Sequence, residues 1–178
     1  LLMDFKGLSG AIYSIIEDYK GRMWIGTKFS GLYLAEPLDQ SLSQSLNRSL
    51  NQALNQPLDQ HEYQSKHQNA LKYKLTHYDT SNSLLSHNDI FSIYEDSRKR
   101  IWIGTFGDGV DVLNPATGVV RNIRAGETDQ HISSNFILSL YKDLRGNMWI
   151  GTLSGGLNCW MKDEQHFKVY KTGGPDAI

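Results

Sequence analysis

Three residue types in this chain recur at a spacing that could do chemistry. Asp18, Asp96 and Asp143 each precede a tryptophan, Trp24, Trp102 and Trp149, by the same interval. Repeated carboxylates could hold a metal ion, and repeated indoles could form platforms for sugar rings. Ser14, Ser92 and Ser139 recur just upstream and could act as nucleophiles. The surroundings argue against each. No second carboxylate recurs beside the aspartates, so turn capping accounts for them better than metal binding. Each Trp sits in mid-strand between apolar neighbours, which is the setting of a core residue. No G-x-S-x-G elbow surrounds the serines; a small residue near a crowded axis is the simpler reading. The 6 His form no HxxxH or HExxH pair. No enzyme, metal or cofactor signature emerges.

What positions these residues is a repeat. Three segments align without a gap: "IYSIIEDYKGRMWIGTKFSGLYL", "IFSIYEDSRKRIWIGTFGDGVDV" and "ILSLYKDLRGNMWIGTLSGGLNC". The interval from Trp102 to Trp149 suits one propeller blade of ~40–50 residues. The interval from Trp24 to Trp102 is longer by an insertion. Each unit reads as four short strands separated by turns. The first strand ("IYSIIE", "IFSIYE", "ILSLYK") is apolar on both faces and is expected to be buried on both sides. The aspartate and a tight turn follow, with Gly21 or Gly146 at a position suited to positive φ. Lys99 occupies that position in the second unit, a departure expected to cost strain. The WIGT segment is the second strand. The third begins at Gly31, Gly109 or Gly156 and alternates, with Tyr33, Asp111 and Asn158 on one face. The fourth is "LKYKLTHY", "VVRNIR" or "QHFKVYK".

The pattern predicts an all-β chain: a β-propeller fragment of three four-stranded antiparallel blades, an open arc rather than a closed ring. Blade 1 spans about 11–36 plus 71–78, blade 2 about 89–124 and blade 3 about 136–171, in one partial domain over 1–178. A low-complexity insertion occupies 37–66. Its core, "PLDQSLSQSLNRSLNQALNQPLDQ", is a repeated tetrapeptide read as a polar loop, with an amphipathic partner-binding helix as the alternative. An arc exposes two blade faces. Further blades of a longer product, a second copy of this chain, or a gene remnant all stay open as explanations.

The chain has 178 residues and a formal net charge of −1. Such a balance gives no electrostatic case for nucleic acid or an anionic membrane surface. No apolar stretch approaches the ~18 residues of a membrane span, so no membrane contact is expected of this segment. No signal peptide is visible within it. One cysteine, Cys159, excludes an internal disulfide.

The repeated pattern S-I-x-E-D-x-x-G-x-x-W-I-G-T-x-x-x-G-L resembles the two-component regulator propeller repeat. The sialidase Asp box differs by one residue in its Asp-to-Gly spacing. The resemblance implies the extracytoplasmic sensor region of a hybrid two-component histidine kinase of the Bacteroidetes type. It implies a periplasmic location, an oligosaccharide ligand and a kinase absent from this chain. The expected function is therefore a non-catalytic sensor module, with two alternatives. One is a fragment of a propeller glycoside hydrolase or polysaccharide lyase; the other is a purely structural arc. A ligand site is expected on the face made by the inter-blade loops and the turns after the second strand. Its candidates are Phe29, Ser30, His87, Asn88, Phe106, Asp108, Ser134 and Asn135, whose rings, amides and carboxylates suit carbohydrate hydroxyls.

If the Trp residues are core, Trp102→Ala should cost roughly 3–5 kcal/mol of stability. Denaturant unfolding checks this; a loss below ~1 kcal/mol would contradict the packing assignment.

Overall fold

A computed structural model describes residues 7–38 and 73–171. The 37–66 insertion falls outside these residues except at its first two positions. Among the described residues there are twelve strands in three four-stranded antiparallel sheets. Blade 1 is β1 (Ile12–Glu17), β2 (Met23–Thr27), β3 (Leu32–Pro37) and β4 (Tyr73–Tyr78). Blade 2 is β5 (Ile90–Glu95), β6 (Ile101–Thr105), β7 (Val110–Leu113) and β8 (Val120–Ile123). Blade 3 is β9 (Ile137–Lys142), β10 (Met148–Thr152), β11 (Leu157–Met161) and β12 (His166–Tyr170). Strands pair in chain order within each blade. The first strands pack side by side, β1 on β5 and β5 on β9. The sheets thus form the open arc of blades that the repeat implied.

The Asp–turn–Trp spacing resolves into one clasp built three times. In blade 2, Asp96 Oδ1 accepts the backbone N–H groups of Arg98 (2.8 Å) and Arg100 (3.0 Å). Its Oδ2 accepts Arg100 Nε (2.7 Å) and the indole Nε1 of Trp102 (3.0 Å). Asp18 does the same for Lys20, Arg22 and Trp24. Asp143 holds Asn147 and Trp149. The carboxylate therefore caps the turn and anchors the ring that fills the blade interface. Burial pushes these carboxyls up, but the donors outweigh it and all three lie below the usual aspartate value. At the turn, Lys99 adopts φ 64° where Gly21 has 72°. That conformation costs an ordinary residue about 1–2 kcal/mol. The Lys99 ammonium lies 4.7 Å from the Tyr19 ring centre.

Two apolar cores lie between blades. Trp24, Leu32 and Leu34 of blade 1 meet Ile90, Ile93, Ile101 and Ile103 of blade 2. Trp102, Val110 and Val112 of blade 2 meet Ile137, Met148 and Ile150 of blade 3. The glycine of each WIGT makes this approach possible. A Cβ on Gly26 would lie 2.7 Å from Ile90 Cγ2, and one on Gly104 would lie 2.6 Å from Ile137 Cγ2. Both isoleucines are fully buried, each contributing about 1.5–3 kcal/mol. On Gly151 a Cβ would meet only Ser139 of its own blade. The recurring serines pair in register with these glycines, Ser14 with Gly26, Ser92 with Gly104 and Ser139 with Gly151, and Ser14 Oγ also accepts the Ile93 N–H of the next blade at 3.0 Å.

The first strand is buried on both sides only in blade 2. There Ile93 faces blade 1 and Tyr94 packs toward blade 3. In β1, Ile16 packs onto blade 2, but Ile15 is 54% exposed. In β9, Leu140 packs onto blade 2, but Tyr141 is 60% exposed. The expectation of two-sided burial thus fails for β1 and β9, because a blade flanks each on one side only. The same asymmetry leaves Trp149 half-buried while Trp24 and Trp102 are enclosed.

Gly104→Ala should destabilise the protein by about 1–3 kcal/mol through overpacking against Ile137. Gly151→Ala should cost clearly less. Paired urea titrations test the order; equal losses would show that the glycine serves its own blade rather than the next.

Candidate functional site

The loops preceding each first strand and following each second strand meet at one end of the blades. Their positions follow from a second repeated contact, between the third strand and the linker that enters its blade. Tyr33 Oη bonds Ser9 Oγ at 2.9 Å. Asp111 Oδ2 accepts Ser86 N–H (2.8 Å) and Ser86 Oγ–H (3.0 Å), and its Oδ1 accepts Asn122 Nδ2 (2.9 Å). Asn158 Oδ1 accepts Ser133 N–H (2.8 Å), and its Nδ2 donates to Ser133 Oγ (2.8 Å). Asp111 is fully buried, and burial raises its carboxyl above the usual value despite these three donors.

Across this end runs a row of four aromatic rings. Tyr13 and Phe91 have centroids 4.5 Å apart. Phe91 stacks on Phe106 at 4.6 Å. Phe106 meets Phe136 edge-on at 5.1 Å. The row links all three blades, with one ring from blade 1, two from blade 2 and one from the entry to blade 3. Tyr13 and Phe136 are 41% and 42% exposed. A bulge in β1 and β5, between Ile12 and Ser14 and between Ile90 and Ser92, makes Tyr13 and Phe91 the extra residues. Such bulges re-aim a side chain out of the strict alternation. Polar groups adjoin the row. Asp89 takes the Phe106 N–H on its backbone oxygen at 2.9 Å. Its carboxyl is buried, and its Oδ1 has no partner among the described residues. His87 Nδ1 accepts the Asp89 N–H at 3.0 Å.

The expected site residues fall into two groups, one at each blade boundary. At the boundary of blades 2 and 3, His87 lies over Gly107 beside Phe106; a Cβ there would lie 3.0 Å from His87 Nε2. Asn135 takes the N–H groups of Gly107 and Gly109 on its carbonyl, and its Oδ1 accepts Ala125 N–H. Ser134 Oγ accepts Phe136 N–H. Asp108 pairs with Arg124 at 2.8 Å. At the boundary of blades 1 and 2, Asn88 repeats the role of Asn135 toward Gly31 and Thr80. The Ser30 carbonyl bonds His77 Nε2 at 2.7 Å. Phe29 is 71% exposed under the Lys28 ammonium. Of the eight, Phe106 is one of the rings of the row and His87 adjoins it, while Asn88, Asn135 and Ser134 spend their side chains on loop backbone. Tyr13, Phe91 and Phe136 escaped the sequence reading. For Tyr13 and Phe91 the signal was an aromatic after the first isoleucine in "IYS" and "IFS", masked by the expectation that this strand is wholly buried; Phe136 precedes its strand. Among the described residues no group of three or more His, Cys, Asp or Glu could hold a metal ion.

Together the stacked blades and the repeated clasp define a β-propeller repeat protein. Residues 6–29, 84–107 and 131–154 match the family model of the two component regulator propeller. Each match falls on one of the three repeats of this chain. Two structures of one extracellular domain from B. thetaiotaomicron, described once as a one component and once as a hybrid two component system, superpose with TM-scores of 0.59 and 0.57. They share 22% identity over 90% of this chain and 17% of theirs. The extracellular domain of another B. thetaiotaomicron hybrid two component system gives 0.50, at 24% identity over 99% of this chain and 25% of that one. A streptogramin B lyase structure gives 0.58, at 12% identity over 97% of this chain and 44% of its own. These likenesses show a shared propeller fold. The chain spans about a sixth of the first of these domains. No curated protein matches.

Removing the Ser86 hydroxyl should expose the cost of the buried carboxylate. Asp111 has a folded value above its unfolded one, so its ionisation disfavours the fold as pH rises from about 3.8 through the raised value. Ser86→Ala deletes a donor to the charged form. It should cost roughly 1.5–3 kcal/mol at pH 7 and distinctly less at pH 4, where a larger share of Asp111 carries its proton. Melting curves at the two pH values decide; a pH-independent loss would mean that Asp111 is not the group relieved.

Proposed function

We propose that this arc is a non-catalytic recognition segment of an extracytoplasmic two-component sensor. It binds a glycan-derived oligosaccharide along the Tyr13–Phe91–Phe106–Phe136 row and passes the change to a histidine kinase beyond this chain. The row carries the reading. Partly exposed rings in sequence offer flat apolar faces to the C–H faces of successive sugar rings. The part-exposed His87 imidazole, over Gly107 next to Phe106, stands beside them to fix hydroxyls. Sites of this kind combine apolar area with a few placed polar groups. The family of the repeats supports the sensor role, and the extracellular setting named for the B. thetaiotaomicron domains supports a periplasmic location. A site shared by three blades also suits signalling, because a ligand spanning them would favour one inter-blade spacing over another.

The test is calorimetric titration of the chain with a panel of neutral oligosaccharides. At least one should bind, and Phe106→Ala should weaken it about tenfold or more without lowering the melting temperature substantially. Binding that is indifferent to Phe106 and Phe136 would remove the row from the function. Turnover of any glycan, lost on replacing a single carboxylate, would favour a hydrolase or lyase instead.

A further inference from the structure

Neighbouring blades enclose two grooves at repeat-equivalent places on their outer flanks. One, between blades 1 and 2, has a volume of about 540 Å³. The other, between blades 2 and 3, has about 440 Å³. The frame is the same but the lining differs. Strand register places Thr76 of the first groove where the second has Arg121. It places Leu113 of the first where the second has Trp160. Two residues further on, Pro115 gives way to Lys162, and Glu36 of the first groove gives way to Asn114. In the first groove Arg22 is bound to Asp18 at 2.7 Å and lies 3.7 Å from Glu36. In the second, four cations line the wall against one carboxylate, Asp96, which Arg100 already engages at 2.6 Å. Arg98, Arg121 and Lys162 make no side-chain hydrogen bond or ion pair among the described residues. Trp160 packs on Phe167 at 4.8 Å, stays part-exposed, and leaves its indole N–H without a described partner.

We propose that this groove binds an acidic saccharide, a sugar ring carrying carboxylate or sulfate groups. The ring lies against Trp160, and the anionic groups are met by Arg98 and Arg121 from blade 2 and by Lys162 from blade 3. The planar guanidinium fork matches the oxygens of carboxylate and sulfate. Cations on both walls suit a ligand with negative charge at both ends rather than one compact anion. Asn114, Thr117 and Gln165 offer partners for ring hydroxyls. The volume falls in the ordinary range for small-ligand sites, roughly 300–1,000 Å³. The proposal does not depend on the aromatic row, which lies at the loop end of the blades.

The test titrates the chain with a sulfated uronate disaccharide, following tryptophan fluorescence and heat. A neutral disaccharide, inorganic sulfate and a nucleoside diphosphate serve as comparisons. The acidic disaccharide should bind best, and its affinity should fall steeply with added salt. Arg121→Thr and Trp160→Leu, which install the residues of the first groove, should each weaken binding at least tenfold, and Phe106→Ala should leave it unchanged. Should Trp160→Leu lose cooperative melting, Arg121→Thr and Lys162→Ala decide, since both replace exposed side chains. No binding at millimolar disaccharide, or equal affinity for the neutral sugar or for sulfate alone, would overturn the proposal. So would tighter binding of the nucleoside diphosphate, or indifference to Arg121→Thr. Loss of acidic-sugar binding with neutral oligosaccharides still held at the row would sink this site and spare the other.

Discussion

Each blade depends on one carboxylate. Its first oxygen satisfies backbone N–H groups of a turn, and its second holds the indole of a tryptophan on the strand that follows. Without it the turn would leave donors unpaired and the ring would lose its bearing. With it, the turn, the strand and the interface ring are positioned together. The tryptophan is then placed against the next blade, so a local hydrogen-bond cluster sets a long-range contact. The glycine two residues after the tryptophan completes the fit by letting the next blade's isoleucine approach.

That coupling runs in one direction along the chain. Blades 1 and 2 offer their Trp and Gly to the blade that follows, and blades 2 and 3 offer their mid-strand aliphatic residue to the blade that precedes. Blade 2 has both neighbours and is enclosed on both faces. Blades 1 and 3 show their unmatched halves as exposed Ile15 and Tyr141. Equivalent residues with different burial are the expected result when stability is a sum of unit and nearest-neighbour contributions.

The proposed sites fall where the repeat is least regular. The third-strand position that clasps the linker is Tyr33, Asp111 or Asn158, three chemistries for one task. The outer grooves share a frame and differ in charge. The aromatic row uses the bulged residue of the first strand in blades 1 and 2, where Leu138 stands in blade 3. A structural core common to all units leaves these positions free to differ.

The order of strands, the number of blades and the capping role of Asp18, Asp96 and Asp143 were legible in the sequence. Turn chemistry and period-two alternation are local and act over a few residues. The positive φ of Lys99 followed from its alignment with Gly21 and Gly146. What tertiary structure decided was which of two apolar faces is covered, because burial depends on a neighbour rather than on the strand itself. It also decided the row and the charged groove. A bulge shifts Tyr13 and Phe91 out of alternation. Arg121 and Trp160 come from different blades, distant in sequence, and meet only when the blades stack.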